Sequence, residues 1–166
     1  MQNKTLTMSV LITPDMANFT GMAHGGDILK LLDQVAYSCA SRYCGKYVVT
    51  LSVDMVLFKN PIPIGSLVTF LANVNYTGNS SMEVGIKVVT EDIQKQSVSH
   101  TNTCYFTMVA IDENNKPTKV PTLQLNTDED KRRFHNGKQR KKLSLEKQDT
   151  LLSKNDCKNG CEYDIY

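Results

Sequence analysis

The stretch Asn18-Phe19-Thr20-Gly21-Met22-Ala23-His24-Gly25-Gly26 runs directly into the helical pattern Asp27-Ile28-Leu29-Lys30-Leu31-Leu32-Asp33. A pair of glycines thus opens an amphipathic helix, and a carboxylate follows about two turns later. Backbone amides at a helix start can hold a developing oxyanion. A carboxylate on the flank of a buried helix can act as a base or as a nucleophile. Together these features predict chemistry on a carbonyl group.

Helical periodicity extends from about Asp27 to Tyr43, and Gly45 is placed to end the helix. The stripe of small and apolar side chains comprises Ile28, Leu31, Leu32, Val35, Ala36, Cys39, Ala40 and Tyr43. This spacing is typical of a helix that packs against a sheet. At about 100° per residue, Asp33 falls at the edge of the stripe, where it can be partly buried.

Extended patterns flank this helix on both sides. They cover residues 5–13, 47–59, 67–77, 81–93 and 97–111. Turn sequences at 78–80 and 94–96 separate the last three, so the four strands after the helix are expected to be antiparallel and contiguous. The element order predicts an α+β architecture with one long helix on a curved sheet.

The chain of 166 residues is about one domain long, and its 40% of apolar residues suffices for one core. It shows no apolar run of 18 residues and no signal-peptide pattern at the start, which favours the cytoplasm and no membrane partner. The five cysteines form no CxxC pair. We expect reduced thiols, three in the core and two in a mobile tail. A metal site or local disulfide at Cys157 and Cys161 is the alternative.

Charge is unevenly distributed along the chain. Residues 131–142, here called the basic arm, carry seven Lys or Arg and no acid. The net charge of the whole chain is +2, which leaves −5 for the remainder. The arm fits a polyanion, such as a phosphorylated cofactor, nucleic acid or an acidic partner surface, or is simply solvated. We expect a first domain over residues 1–125 and a charged tail over 126–166, helical from Asp128 to Gln148 and poorly ordered over 149–166.

An ordered set of short motifs supports a narrower reading. The set is Pro14-Asp15-x-x-Asn18, Gly21-x-x-His24-Gly25-Gly26, Leu32-Asp33, Val48-Val49-Thr50 with Val53-Asp54, Phe58-x-x-Pro61, Gly65 and Gly78-x-Ser80-Ser81. Over roughly residues 6–122 the chain resembles the hotdog-fold acyl-CoA thioesterases, in the branch of small bacterial and brain-type acyl-CoA hydrolases. The resemblance implies a long central helix wrapped by a curved antiparallel sheet of about five to six strands.

The resemblance also implies roles for five candidate catalytic residues. Asp33 would be the general base on water, or less favourably the nucleophile. Asn18 would position the water or hold the carbonyl, and the amides of Gly25 and Gly26 would polarise the thioester. His24 belongs to the same group, although capping of the helix start is its favoured role. No metal and no separate cofactor is implied, because CoA is part of the substrate.

Contact with CoA is assigned on the same basis. The candidate residues are Phe58, Lys59, Asn79, Ser80 and Ser81. Many relatives carry Arg where Asn79 stands, and the basic arm could supply the missing positive charge. The resemblance also implies an active site between two subunits, in a dimer or a trimer of dimers.

Two other functions compete with thioester hydrolysis. A hydratase of acyl thioesters would use a paired histidine and acid, and His24 with Asp33 is the only local pair. A non-catalytic module that binds acyl-CoA or assembles other proteins would leave the basic arm for nucleic acid. Nucleic-acid binding is not favoured, because the arm is short and no helix-turn-helix region accompanies it.

Overall fold

A five-stranded antiparallel sheet with one long helix on its face forms the first part of the chain. Its elements are β1 (Thr5–Leu11), α1 (Gly25–Cys44), β2 (Tyr47–Val53), β3 (Leu67–Thr77), β4 (Ser81–Asp92) and β5 (Ser97–Ile111). The protein is seen in a computed structural model that describes residues 3–155. The chain divides into two compact units, Met1–Gln124 and Leu125–Tyr166. The functional division into residues 1–125 and 126–166 stays a prediction.

The sheet order is β1-β3-β4-β5-β2. All pairs are antiparallel as predicted, and the four strands after the helix form one contiguous block, in which β2 lies at an edge beside β5 and not beside β3. Extended pairing in β2 ends at Val53 rather than near residue 59. Residues 54–66, with Pro61 and Pro63, then form a long crossover. This connection carries the chain from one edge of the β3–β4–β5 meander to its far side.

Helix α1 packs its apolar stripe on the sheet. The core residues of the helix are Ile28, Leu32, Val35, Ala36, Cys39, Ala40 and Tyr43, all at most 3% exposed. They face β-strand side chains such as Phe70, Val84, Phe106 and Met108, which are also buried. Full burial of each large apolar side chain stabilises the fold by about 1.5–3 kcal/mol. Gly45 ends the helix in the left-handed conformation, with φ of 67°.

The second unit contains α2, which spans Asp128–Asn155. The expectation of poor order after residue 148 stays a prediction, whereas the predicted helix of 128–148 is confirmed and continues through 149–155. That segment contains no Gly or Pro, so nothing in it ends the helix. Glu129 accepts hydrogen bonds of 2.7 Å from Arg132 and Arg133, which support the first turns. Predictions for 156–166, including Cys157 and Cys161, lie outside the described residues.

No helix among the described residues is long and apolar enough to cross a membrane.

Candidate active site

The loop before α1 is organised by the side chain of Asn18. Its Oδ1 accepts hydrogen bonds from Thr20 N at 2.9 Å, from Thr20 Oγ1 at 2.7 Å and from Met22 N at 3.2 Å. Gly21 makes the turn possible with φ of 74°. The side-chain oxygen of Asn18 is thus hydrogen-bonded within the loop. Its Nδ2 group has no acceptor among residues 3–155, so this half-buried amide is left as a donor at the helix entry.

His24 caps α1. Its Nδ1 accepts a hydrogen bond from Gly26 N at 3.1 Å, which satisfies one of the amides that a helix start leaves open. The Gly25 amide has no acceptor among the described residues. Of the two amides singled out in the sequence, that of Gly26 is therefore engaged and that of Gly25 is open. The first turn of α1 therefore contains both the histidine cap and the open Gly25 amide.

The crossover segment lies against this helix entry. Ala23 N donates to Ile62 O at 2.7 Å. A Cβ atom added to Gly25 would lie 3.7 Å from Cε2 of Phe58, so the ring borders the open amide. Phe58 remains 45% exposed, and Lys59 beside it is also exposed. Phe58 therefore lies at the start of α1, and both predicted CoA-contacting residues of this segment are accessible to a ligand.

Asp33 lies on the exposed flank of α1 and is bound by a residue of β2. Thr50 Oγ1 donates to Asp33 Oδ1 at 2.6 Å, the length of a hydrogen bond to a carboxylate. Thr50 faces the helix because it pairs with Met108, whose Sδ lies 3.6 Å from the hydroxyl. Asp33 Oδ2 has no partner among the described residues. Thr50 was part of a recognised motif but received no role from sequence reasoning, since only the folded sheet brings it to Asp33.

The two halves of the candidate site are far apart within one chain. Asp33 lies eight residues after Gly25, and a rise of 1.5 Å per residue puts them about 12 Å apart along the axis. A base and an oxyanion donor must each lie about 3 Å from the reacting group. Within a single chain, Gly25 and Asp33 therefore cannot act on the same thioester.

The predicted CoA-binding turn occupies a third place. Ser80 O accepts from Ala110 N at 2.9 Å, and Asn79 O accepts from Val120 N at 2.9 Å. Ser81 pairs with Val109 on β5, whereas the crossover segment joins β5 at Tyr105. Four residues of strand, about 14 Å, thus separate the turn from the crossover. The structure does not bring Asn79, Ser80 and Ser81 to Phe58 within one chain.

Three cysteines in the described residues are free and buried: Cys39, Cys44 and Cys104. This confirms the expectation of reduced core thiols. Burial raises the pKa of Cys39 to about 12 and that of Cys104 to about 12, which keeps both protonated and unreactive at neutral pH. In the part of the chain that the structure describes, no group of His, Cys, Asp and Glu could hold a metal ion.

Comparisons with known proteins agree with this fold. The thioesterase superfamily model matches residues 20–97. Protein VdlD of Helicobacter pylori is 55% identical over 138 residues, which cover 83% of this chain and 79% of that protein. The crystal structure of an apo-hexameric acyl-CoA thioesterase superposes with a TM-score of 0.84 at 30% identity, covering 88% of this chain and 94% of that one.

Helix, sheet and matched region together define a hotdog-fold thioester hydrolase. The chain belongs to the thioesterase superfamily. The resemblance to acyl-CoA thioesterases and the prediction of an enzyme are thereby confirmed.

An acyl-CoA hydrolase from Staphylococcus aureus, crystallised with butyryl coenzyme A and coenzyme A, adds a comparison at residue level. It superposes with a TM-score of 0.80 at 28% identity, covering 93% of both chains. Its crystal structures include three variants in which an Asn, an Asp and a Thr are each replaced by Ala. The Asn and Asp are 15 positions apart, and the Asp and Thr are 17 apart. Asn18, Asp33 and Thr50 have the same residue types at the same spacings.

Proposed function

We propose that this chain hydrolyses acyl-CoA thioesters to a free carboxylic acid and CoA, at a site shared by two copies of the chain. Asn18 and the Gly25 amide come from one copy, and Asp33 with Thr50 comes from the other. The observation that carries the proposal is the 2.6 Å hydrogen bond from Thr50 to an exposed Asp33 carboxylate. It holds one carboxylate oxygen and leaves the other open to water, and the spacing shared with the S. aureus hydrolase supports it.

Asp33 acts as a general base in this mechanism. Its Oδ2 takes a proton from water while the water oxygen bonds to the thioester carbon. The tetrahedral intermediate then breaks its carbon–sulfur bond, and the CoA thiolate leaves and takes up the proton. Direct attack by Asp33 is the alternative. A single turnover in ¹⁸O-labelled water distinguishes the two. A general base directs the labelled water to the thioester, so the label appears in the product acid. Direct attack forms an anhydride between Asp33 and the acyl group, and attack of water on the Asp33 carbon of this anhydride leaves the label in the protein.

The negative charge that develops on the carbonyl oxygen needs donors that are already in place. The Gly25 amide at the positive end of α1 is one, and it needs no rearrangement because it has no acceptor among residues 3–155. Asn18 Nδ2 is the second, held outward because its Oδ1 is bound within the loop. Gly26 contributes through the His24 cap rather than directly, since its amide is engaged. Removing one such donor typically lowers kcat by 10²–10³.

Strand β2 supplies a surface through which two copies could meet. It is an edge strand, and its exposed apolar side chains include Tyr47 at 74% and Leu51 at 66%. Such an edge is a template for pairing with another strand. A twofold pairing of β2 would bring a second chain beside Thr50, so the helix entry of one copy could reach Asp33 of the other. The predicted assembly is a dimer or a trimer of dimers.

Substrate contacts beyond the reacting group follow from accessibility. Phe58 borders Gly25, and together with the adjacent, exposed Lys59 it would meet the arm of CoA that leads to the sulfur. Asn79, Ser80 and Ser81 would contact CoA only through the shared site. The basic arm at 131–142 remains a proposed source of charge for the CoA phosphates. Location in the cytoplasm and the lack of a separate cofactor stay predictions.

A thiol-release assay tests the activity. Acyl-CoAs from acetyl to palmitoyl are offered to the wild type and to Asp33→Asn, which keeps the shape and the acceptor for Thr50 but loses the base. We expect turnover by the wild type and a loss of about 10²–10⁴-fold in the variant. A matched control is Asp27→Asn, a carboxylate in the first turn of the same helix. Absence of turnover with every ester, or full turnover by Asp33→Asn, contradicts the proposal.

A mixing experiment tests the shared site. Asn18→Ala and Asp33→Ala are each expected to be inactive as pure proteins. When the two variants are co-expressed in equal amounts, half of the dimers are mixed. Each mixed dimer has one intact site of two, so about a quarter of the wild-type activity should return. Co-expression of Asp33→Ala with Asp33→Asn is the control and should restore nothing. If both residues act within one chain, the first mixture stays as inactive as the control.

A further inference from the structure

Three buried polar side chains interrupt the apolar, helix-facing side of β4 and β5. Thr90, Thr101 and Asn102 are 7%, 1% and 2% exposed. The two threonine hydroxyls lie 2.6 Å apart and satisfy each other. Asn102 pairs with Val88, which is fully buried on the same face. Its Nδ2 is buried and has no hydrogen-bond partner within residues 3–155.

An unpaired buried amide is costly. Leaving such a donor without a partner costs about 1–3 kcal/mol, and most buried polar atoms in folded proteins are paired. A leucine, which branches in the same way, would leave no unpaired donor at this place. The Nδ2 of Asn102 is therefore a donor that the fold itself does not use.

Register places Asn102 near the helix entry. The crossover segment joins β5 on either side of it: Asp54 N donates to Tyr105 O at 3.0 Å, and Asn60 Nδ2 donates to His100 O at 3.4 Å. Phe58 lies between these two contacts, and its ring borders Gly25. Asn102 thus lies on the stretch of β5 that runs between these two contacts with the crossover segment. An acyl group that extends from a carbonyl at Gly25 towards the sheet would meet it.

We propose that Asn102 is a specificity-determining residue, whose Nδ2 donates a hydrogen bond to a neutral oxygen on the acyl chain of the substrate. This inference rests on the proposed thioester site and adds a substrate class to it, acyl groups that carry an oxo or hydroxyl oxygen. A carboxylate is disfavoured, because the neighbouring helix-facing residues Val88 and Cys104 offer no positive charge.

Binding of uncleavable thioethers tests the assignment separately from hydrolysis. S-hexyl-CoA is compared by calorimetry with S-(3-oxohexyl)-CoA and S-(5-oxohexyl)-CoA, which place the oxygen at two depths. The wild type should bind one oxo compound about tenfold more tightly than S-hexyl-CoA, the effect of one buried hydrogen bond. Asn102→Leu should lose this preference and keep its affinity for S-hexyl-CoA. Thr107→Val, on the opposite face of β5, is the control and should keep the preference.

Three results of these binding measurements would overturn the role of Asn102, and one would support it. Equal binding of all three thioethers by the wild type overturns the inference, and an ordered water would then be the acceptor for Asn102 Nδ2. An oxo preference that persists in Asn102→Leu overturns it as well, as does no binding of any thioether. A preference that depends on Asn102 supports it even if thiol release fails, in which case only the proposed hydrolysis falls. Thermal unfolding of Asn102→Leu at or above the wild-type Tm will show that the variant is folded.

Discussion

Replacing Thr50 by valine tests whether its hydroxyl serves Asp33. Valine has nearly the same shape, so the packing of β2 against Met108 should survive while the 2.6 Å hydrogen bond to Asp33 Oδ1 is lost. A hydrogen bond to a charged group contributes about 1.5–3 kcal/mol. At 1.36 kcal/mol per factor of ten, its loss in the transition state would lower kcat by about 10- to 150-fold.

The assay is steady-state thiol release with the best acyl-CoA of the panel. We expect Thr50→Val to lower kcat and leave KM within about twofold, because the bond orients the base rather than binding the substrate. Thr50→Ser keeps the hydroxyl and should stay near the wild type. Ser52→Ala removes a hydroxyl from the same strand that makes no hydrogen bond to Asp33, and serves as the matched control.

A double-mutant cycle completes the test. If Thr50 acts through Asp33, the valine substitution should have little further effect in Asp33→Asn, because the group it orients is already impaired. An equal loss in both backgrounds would refute the reasoning, since Thr50 would then act independently of Asp33. A kcat for Thr50→Val within twofold of the wild type would refute it more directly.

Three further predictions concern assembly, thiols and packing. Leu51→Lys at the exposed β2 edge should weaken self-association, seen as a lower mass in sedimentation, and an unchanged mass would exclude this edge as the interface. Burial raises the pKa of Cys39 and of Cys104 to about 12, so neither should react with a thiol reagent at pH 8 until the chain is unfolded. The folded pKa values of both thiols lie above the unfolded value of 9.0, so the protonated thiols stabilise the fold fully below about pH 9. This stabilisation is lost as the pH rises towards 12. A urea midpoint that does not fall between pH 8 and 10.5 would contradict this prediction. Gly85→Ala would place a Cβ against the amide of Asn75 and should cost about 1–3 kcal/mol of unfolding free energy, with no loss in urea denaturation as the contrary result.

Local patterns in the sequence were sufficient for the helix and most of the strands. The glycine pair, the apolar stripe and Gly45 delimit α1 to within two residues, since capping and periodicity depend on neighbours in the chain. Motif resemblance predicted the family, which the comparisons show, and singled out Asp33 and Asn18. The His24 cap was also foreseen, because a side chain directly before a helix reaches its first amides.

Tertiary structure decided what depends on contacts distant in sequence. Periodicity tells which residues share a face but not which strands are neighbours, so the place of β2 beside β5 was missed. The same contact brings Thr50 to Asp33, and the helix rise separates Asp33 from Gly25. The unpaired amide of Asn102 likewise becomes visible only when the sheet is packed. The sequence by itself determined the elements and the candidate chemical groups, whereas their distances, which chemistry requires, arise from non-local packing.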